Sequence, residues 1–282
     1  MEGKEAAMNM PVHIPQTDTI ARVSLDNLEL RETATLKRIA DRFDAITLAE
    51  MDSVKLMDRV DRKYVLKLHD LPEILASVRG DYRILSVEGA RLNHYRTVYF
   101  DTDGFELYAN HVTLRKNRYK VRVREYSESR LTFLEVKRKT NNGRTIKTRE
   151  PIGSFTEMSA GGERLEIELA GNVRRLGAKL WNNFSRMTLV SRTGQERVTI
   201  DVGISLLTPE NALYLDRIAV AEVKTGSSAQ ASLFANQMKA YRYHAQSFSK
   251  YAVGINALYD GVKKNAMKPI MLQLKKMMGG TS

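Results

Sequence analysis

Six short segments of this chain place Lys or Arg at alternate positions, most with a carboxylate in the same alternation. They read DRK at 61–63, KVRVR at 120–124, EVKRK at 135–139, IKTR at 146–149, RVTID at 197–201 and EVK at 222–224. Alternate side chains of a β-strand share a face. Lys120, Arg122 and Arg124 therefore line one side of a strand, with Val121 and Val123 on the other. Glu135, Lys137 and Lys139 repeat the pattern against Leu134 and Val136, and Lys147 and Arg149 do so opposite Ile146. Lys63, Arg186, Arg197 and Lys224 join the same charged face, together with the carboxylates Asp61, Glu135, Asp201 and Glu222.

So many like charges are costly to bury unless water fills the space or a polyanion neutralises them. Arginine grips two phosphate oxygens at once, whereas lysine is a compact mobile charge. The mixed set predicts a ligand with consecutive phosphoryl groups. The carboxylates have a separate use. The five histidines show no ligand spacing and there is no cysteine. The pattern therefore predicts a hard, oxygen-ligated ion, Mn²⁺ or Mg²⁺, bridging carboxylate and phosphate. Glu222, Asp201 and Glu135 are its candidate ligands, with Asp61 beside them.

The elements that must position these residues are mostly strands. Apolar positions between Thr33 and Lys55 recur at helical spacing and predict a peripheral helix or two. Strands are predicted over 62–67, 82–88, 95–100, 119–126, 131–140, 144–150, 184–190, 196–202 and 218–224. Asp70, followed by Pro72 and Glu73, reads as the start of a short helix. Asp101, Thr102 and Asp103 read as a capping cluster for another over 107–111. Asn142-Gly143 marks a tight reversal. The stretch 151–181 reads as polar and partly helical, and 230–248 as a helix packed outside the sheet. Residues 251–256 are expected to close the array or cover its end. The fold expected is α+β: a closed antiparallel β-barrel of about eight strands with a cationic lumen and peripheral helices. Residues 1–54 form a tail and peripheral helix, 55–257 the barrel domain, and 258–282 a basic tail or short helix.

Composition bounds the function. The chain has 282 residues and a formal charge of +12, which favours an anionic partner. Without cysteine, disulfides and thiolate catalysis are excluded. The first residues lack an apolar stretch of signal-peptide length, so a soluble cytoplasmic protein is expected. No GxxxxGK[ST] loop or GxGxxG fingerprint occurs, against an ordinary P-loop ATPase or a dinucleotide enzyme. Aromatics make up only 7% and the basic residues sit inside strands, which ranks nucleic acid last among the anionic partners.

The chain resembles the bacterial form of the VTC (vacuolar transporter chaperone) domain, among the triphosphate tunnel metalloenzymes. The resemblance rests on DRKY at 61–64, YFDT at 99–102, KVRVREY at 120–126, FLEVKRK at 133–139, FSRMTLV at 184–190, ERVTID at 196–201, AEVK at 221–224 and FSKY at 248–251. It implies an antiparallel tunnel that transfers the ATP γ-phosphate onto a growing polyphosphate chain and releases ADP. Carried over, Lys63, Arg122, Arg124, Lys137, Lys147, Arg186 and Arg197 become phosphate ligands. Lys250 becomes a late lysine directed at the tunnel, and Glu222 the principal metal ligand. Tyr64 and Tyr126 become supporting hydroxyls or packing side chains. Arg122, Arg124, Lys137 and Glu222 are the expected catalytic set. Many tunnel enzymes open with E-x-E-x-K, but here the segment is Arg59-Val60-Asp61-Arg62-Lys63. The arginine in place of the first acid favours a polymerase over a triphosphatase. A triphosphatase and a non-catalytic polyphosphate- or inositol-phosphate-binding domain are the other readings. Peripheral association with a membrane partner, at the inner membrane face, is compatible with each.

Overall fold

In the computed structural model, residues 33–53, 60–155, 164–169, 171–193, 196–226 and 232–279 are described. The expected N-terminal tail lies outside them, as do Lys55, Gln230 and Gly194, the last residue of the reversal 192–194 expected between the strands at 184–190 and 196–202.

Twelve strands form one sheet: β1 (Asp44–Ile46), β2 (Val60–Lys67), β3 (Tyr82–Leu85), β4 (Asn93–Asp101), β5 (Arg118–Tyr126), β6 (Leu131–Lys139), β7 (Thr145–Pro151), β8 (Arg164–Leu169), β9 (Asn172–Ser191), β10 (Glu196–Leu207), β11 (Ala212–Leu215) and β12 (Ile218–Thr225). The main path runs β2-β12-β10-β9-β4-β5-β6-β7, and every neighbouring pair in it is antiparallel. The sheet curls until its two ends meet across one space. Lys63 of β2 and Lys147 of β7 line the same cavity. Among the described residues, no hydrogen-bonded pairing joins β2 to β7. The architecture is α+β, a strongly curved, mostly antiparallel sheet with helices around it.

Period-2 patterning decides which face becomes the lumen. Val121 and Val123 are buried on the outer face of β5, against Leu107, Phe155, Leu169 and Leu176. Ala219, Ala221 and Val223 of β12 belong to a second outer cluster with Leu71, Ile74, Leu75 and Val78. Those four recur at i, i+3, i+4 and i+7 along helix α3 (Leu71–Val78). Much of the hydrophobic core thus lies outside the curved sheet, which leaves the inner face free to carry charge.

Helix α1 spans 33–40, and α2 spans Leu48–Ser53. Between them Ile46 belongs to a strand rather than a helix, because β1 pairs in parallel with β3. Helix α4 (Glu106–Val112) starts as expected: Asp101 accepts the backbone N–H groups of Leu107 and Tyr108, each at 2.9 Å.

Three expectations need correction. The stretch 151–181, expected to be partly helical, is helical at Phe155 and also contains β8 and the first half of β9, a hairpin that was not expected. Helix α5 (Leu233–Ala240) is far shorter than 230–248; Arg242 takes a left-handed φ of 60°. Beyond it the chain runs past β2, where the Gln246 N–H donates to the Lys63 carbonyl at 2.8 Å. Residues 251–256 form part of helix α6 (Lys250–Leu258), which seats Tyr251 against Tyr99 and Tyr108. Helix α7 (Lys268–Met277) follows, the short helix expected near the C-terminus.

Candidate functional site: a cationic lumen

The inner face encloses a cavity of about 900 Å³. Among the described residues, ten lysines and arginines and four carboxylates line it, an excess of six positive charges. From the expected set it gathers Lys63, Lys120, Arg122, Arg124, Lys137, Lys147, Arg186, Lys224 and Lys250, with Asp61, Glu135, Asp201 and Glu222. Strand register explains the assembly. Lys120 lies opposite Lys137, and Lys137 opposite Lys147; Arg122 lies opposite Glu135, and Glu222 opposite Lys63.

Each of three carboxylates ties two cations together. Glu135, only 2% exposed, accepts from Arg122 Nε at 2.7 Å and Lys147 Nζ at 2.6 Å. Asp201 takes a bidentate pair from Arg186 at 2.5 and 2.8 Å and a further contact from Lys250. Glu222 pairs with Lys63 at 2.6 Å and with Lys224. Burial alone would raise all three carboxyl pKa values. The neighbouring cations outweigh it and hold each well below the usual carboxylate range.

Other cations are held without a carboxylate. Arg124, 5% exposed, donates from Nε to Thr97 Oγ1 at 3.0 Å and lies over the rings of Tyr95 and Phe184. Lys120 Nζ donates to Ser249 Oγ at 3.0 Å. Burial, then Lys137 and Arg122, lower its pKa to about 7. Lys137 is lowered too, by burial and then Lys63. Ser249 caps α6, and with Lys250 it brings the N-terminus of that helix to the lumen wall, a favourable end for an anion.

Three expected residues lie elsewhere. Arg149 stacks on Phe133, its guanidinium carbon 3.5 Å from the ring centre, instead of lining the cavity. Arg197 shares the inner face of β10, but its guanidinium reaches the Met51 carbonyl at 3.1 Å. Lys139 lines an adjoining chamber of about 930 Å³. Tyr126 lines the lumen and donates to Glu135 at 3.3 Å, whereas Tyr64 is buried in an outer cluster.

The residue reading passed over Tyr99, Arg144 and Ser249 as site residues. Tyr99 follows from alternation in β4, where Tyr95, Thr97 and Tyr99 share a face. Its hydroxyl lies 3.5 Å from Arg122. Burial raises its pKa, but Arg122, Arg124 and Lys250 outweigh that and leave it lowered.

A divalent cation finds a limited donor set here. Among the described residues, no three His, Cys, Asp or Glu side chains cluster as a cage. Mg²⁺ is commonly held by one or two carboxylates plus substrate phosphates and water. Glu222 lies on the lumen wall with Asp61, but Lys63 and Lys224 occupy its two oxygens, so it opens to an ion only where an incoming anion draws those lysines away.

A sequence model of the VTC domain matches residues 58–259. The chain belongs to the VTC domain family. Solved structures similar to this family member include a putative adenylyl cyclase from Hippeastrum, described as having a dominant triphosphatase activity. It is 15% identical over 73% of this chain and 98% of that one, with a TM-score of 0.46. A putative adenylate cyclase from Vibrio parahaemolyticus is 14% identical over 70% and 97%, with a TM-score of 0.43. Among curated proteins none matches the chain. Among the described residues, no helix of this VTC domain protein is long and apolar enough to cross a membrane.

Proposed function

We propose that this protein is a metal-dependent ATP:polyphosphate phosphotransferase, which lengthens polyphosphate by the γ-phosphoryl group of ATP and releases ADP. One observation carries the reading. The lumen has an excess of six positive charges and continues, through Lys63, Lys120 and Lys137, into a second chamber. The formal charge of the lumen exceeds what one small anion needs and suits a donor triphosphate together with the end of a polyanionic acceptor, while the added length leaves room for the rest of the donor.

Phosphoryl transfer depends on alignment and charge neutralisation more than on a protein nucleophile. Arg122, Arg124 and Lys137 hold the β- and γ-phosphates. Glu135 and Asp201 keep Arg122, Lys147, Arg186 and Lys250 aimed before the substrate arrives, so little reorganisation is needed at reaction. The terminal oxygen of the polyphosphate chain forms the new bond to the γ-phosphorus. The bond from the γ-phosphorus to the β-bridging oxygen breaks, and ADP leaves with that oxygen. The attacking oxygen is already ionised at neutral pH, so no general base is required. Glu222 would hold Mn²⁺ or Mg²⁺, which when bound offsets charge on the transferred group.

The test uses purified protein with ATP and Mn²⁺ or Mg²⁺, and assays acid-stable long-chain polyphosphate and ADP. Polymer with stoichiometric ADP is expected. Phosphate and ADP without polymer would make it a triphosphatase, and tight polyphosphate binding without turnover would make it a binding domain. The Glu222→Gln variant is expected to lose metal-dependent turnover while keeping most triphosphate affinity, since every phosphate-gripping cation remains. Unchanged turnover would reduce Glu222 to a partner of Lys63 and Lys224.

A further inference from the structure

The two chambers differ in chemistry. In the first, the carboxylates Glu135, Asp201 and Glu222 organise the cations. The second has a mixed lining. One part carries the basic side chains of β2, β5 and β6, and Lys63, Lys120 and Lys137 are common to both chambers. The other part of the lining comes from α6, from α7 and from the residues just after α4 and just before α7, and includes Leu114, Val253, Met267, Ile270 and Gln273.

Helix α7 lies beyond residue 259, where the match to the VTC domain ends, yet Pro269, Ile270 and Gln273 line this chamber. Leu114 is 71% exposed on the chamber's rim, a large apolar side chain that the core leaves uncovered. His111 also lines the chamber; burial, then Lys120 and Arg118, lower its pKa to about 3, so it is neutral there. An apolar concave surface with a few neutral hydrogen-bonding groups is the usual lining for an organic ligand, not for an inorganic anion. It opens directly onto a chamber suited to phosphoryl groups.

We propose that this second chamber binds the nucleoside of the donor nucleotide, with Leu114 and Ile270 against the base and the Gln273 amide, which donates to Met277 Sδ at 3.8 Å, exchanging that weak contact for one to the base. This rests on the reading of the lumen as a triphosphate site, and it deepens that reading by placing the donor. The triphosphate then runs from the three shared lysines toward Arg122 and Arg124. Helix α7 supplies donor selectivity from outside the matched domain.

Equilibrium binding of two probes, ATP and inorganic tripolyphosphate, tests the placement by calorimetry. The variants are Leu114→Asn and Gln273→Ala. Asparagine tolerates the left-handed φ of 55° at position 114, so that variant leaves the backbone undisturbed. Each variant is expected to weaken ATP binding by about tenfold, as for lost contacts in an apolar pocket, with tripolyphosphate affinity unchanged. ATP affinity unchanged in both variants would overturn the placement while leaving the triphosphate site intact. Equal weakening of both probes would also overturn it, by showing that these residues act through the lumen's shape. Failure of the unmodified protein to bind either probe would remove the triphosphate reading, and this inference with it.

Discussion

Arg122 and Glu135 face each other across the β5–β6 pair, and the guanidinium reaches one carboxylate oxygen with both Nε, at 2.7 Å, and Nη2, at 2.6 Å. The second carboxylate oxygen holds Lys147. One buried acid thus fixes cations from two strands side by side on the lumen wall.

Replacing Glu135 with Gln leaves Arg122 facing Arg124 and Lys147 without compensation. Breaking a buried ion pair from one side costs about 3–5 kcal/mol. The low end applies, because Lys147 is 45% exposed and can turn to water. Urea unfolding should show a loss of about 3 kcal/mol, and tripolyphosphate should restore more stability to the variant than it adds to the parent. The pH dependence has a definite sign. A carboxylate whose folded pKa is lowered contributes stability above its unfolded value of about 4.5. That contribution is lost as pH falls through the folded value. The parent should therefore weaken on acidification below about pH 4.5, and the variant less steeply. Identical acid profiles would mean that Glu135 contributes no such linkage.

A Cβ built on Gly254 would lie 2.5 Å from Leu180 Cδ2 and 2.7 Å from Cδ1. Leu180 is fully buried, so it has no open space to swing into. Alanine gains up to about 1 kcal/mol of helix propensity over glycine, against about 1–3 kcal/mol for overpacking. Gly254→Ala should be destabilising on balance in thermal unfolding. It should also displace Lys250, four residues earlier on α6, and weaken tripolyphosphate binding. Adding Leu180→Val should recover both losses. A variant as stable as the parent would show that α6 shifts without cost.

The lumen was legible in the sequence wherever its chemistry alternates with the strand period. Lys120, Arg122 and Arg124 against Val121 and Val123 announce both a strand and its two faces. The misreadings have physical causes. Residues 172–176 of β9 are exposed except for Leu176, and Arg174 and Arg175 lie on opposite faces, so no alternation marks the strand. It is held by pairing with β8. Tyr251 through Asn256 is buried on every side, and a short apolar run has no period from which to choose helix or strand. Arg149 and Arg197 lie on the expected faces, but long side chains let one stack on Phe133 and the other reach the Met51 carbonyl. Alternation fixes the face of a residue, not where its charge ends.

Lys120 stands where the two chambers meet, facing Lys63, Arg122 and Lys137 with Arg118 and His111 nearby, and its ammonium is held by the Ser249 hydroxyl. With its pKa lowered to about 7, it is largely uncharged at pH 8.5. An unfolded lysine titrates near 10.4, so between about pH 7 and 10 the unfolded chain binds the extra proton. Stability of the protein alone should therefore rise with pH across that window. A triphosphate reverses the preference, because its negative charge favours the ammonium form. Binding of tripolyphosphate at pH 8.5 should take up a fraction of a proton approaching one. Calorimetry in two buffers of different ionisation enthalpy measures that uptake directly. Tyr99, also shifted by this site, could take up a proton as well, and the Lys120→Arg variant separates the two because arginine remains charged throughout. That variant should bind with less proton uptake and should show a smaller rise in stability with pH, since Lys137, Lys147, Lys224 and Lys250 are lowered as well. Uptake as large as in the parent would assign the titration to another lowered group of the lumen, Tyr99 or one of Lys137, Lys147, Lys224 and Lys250.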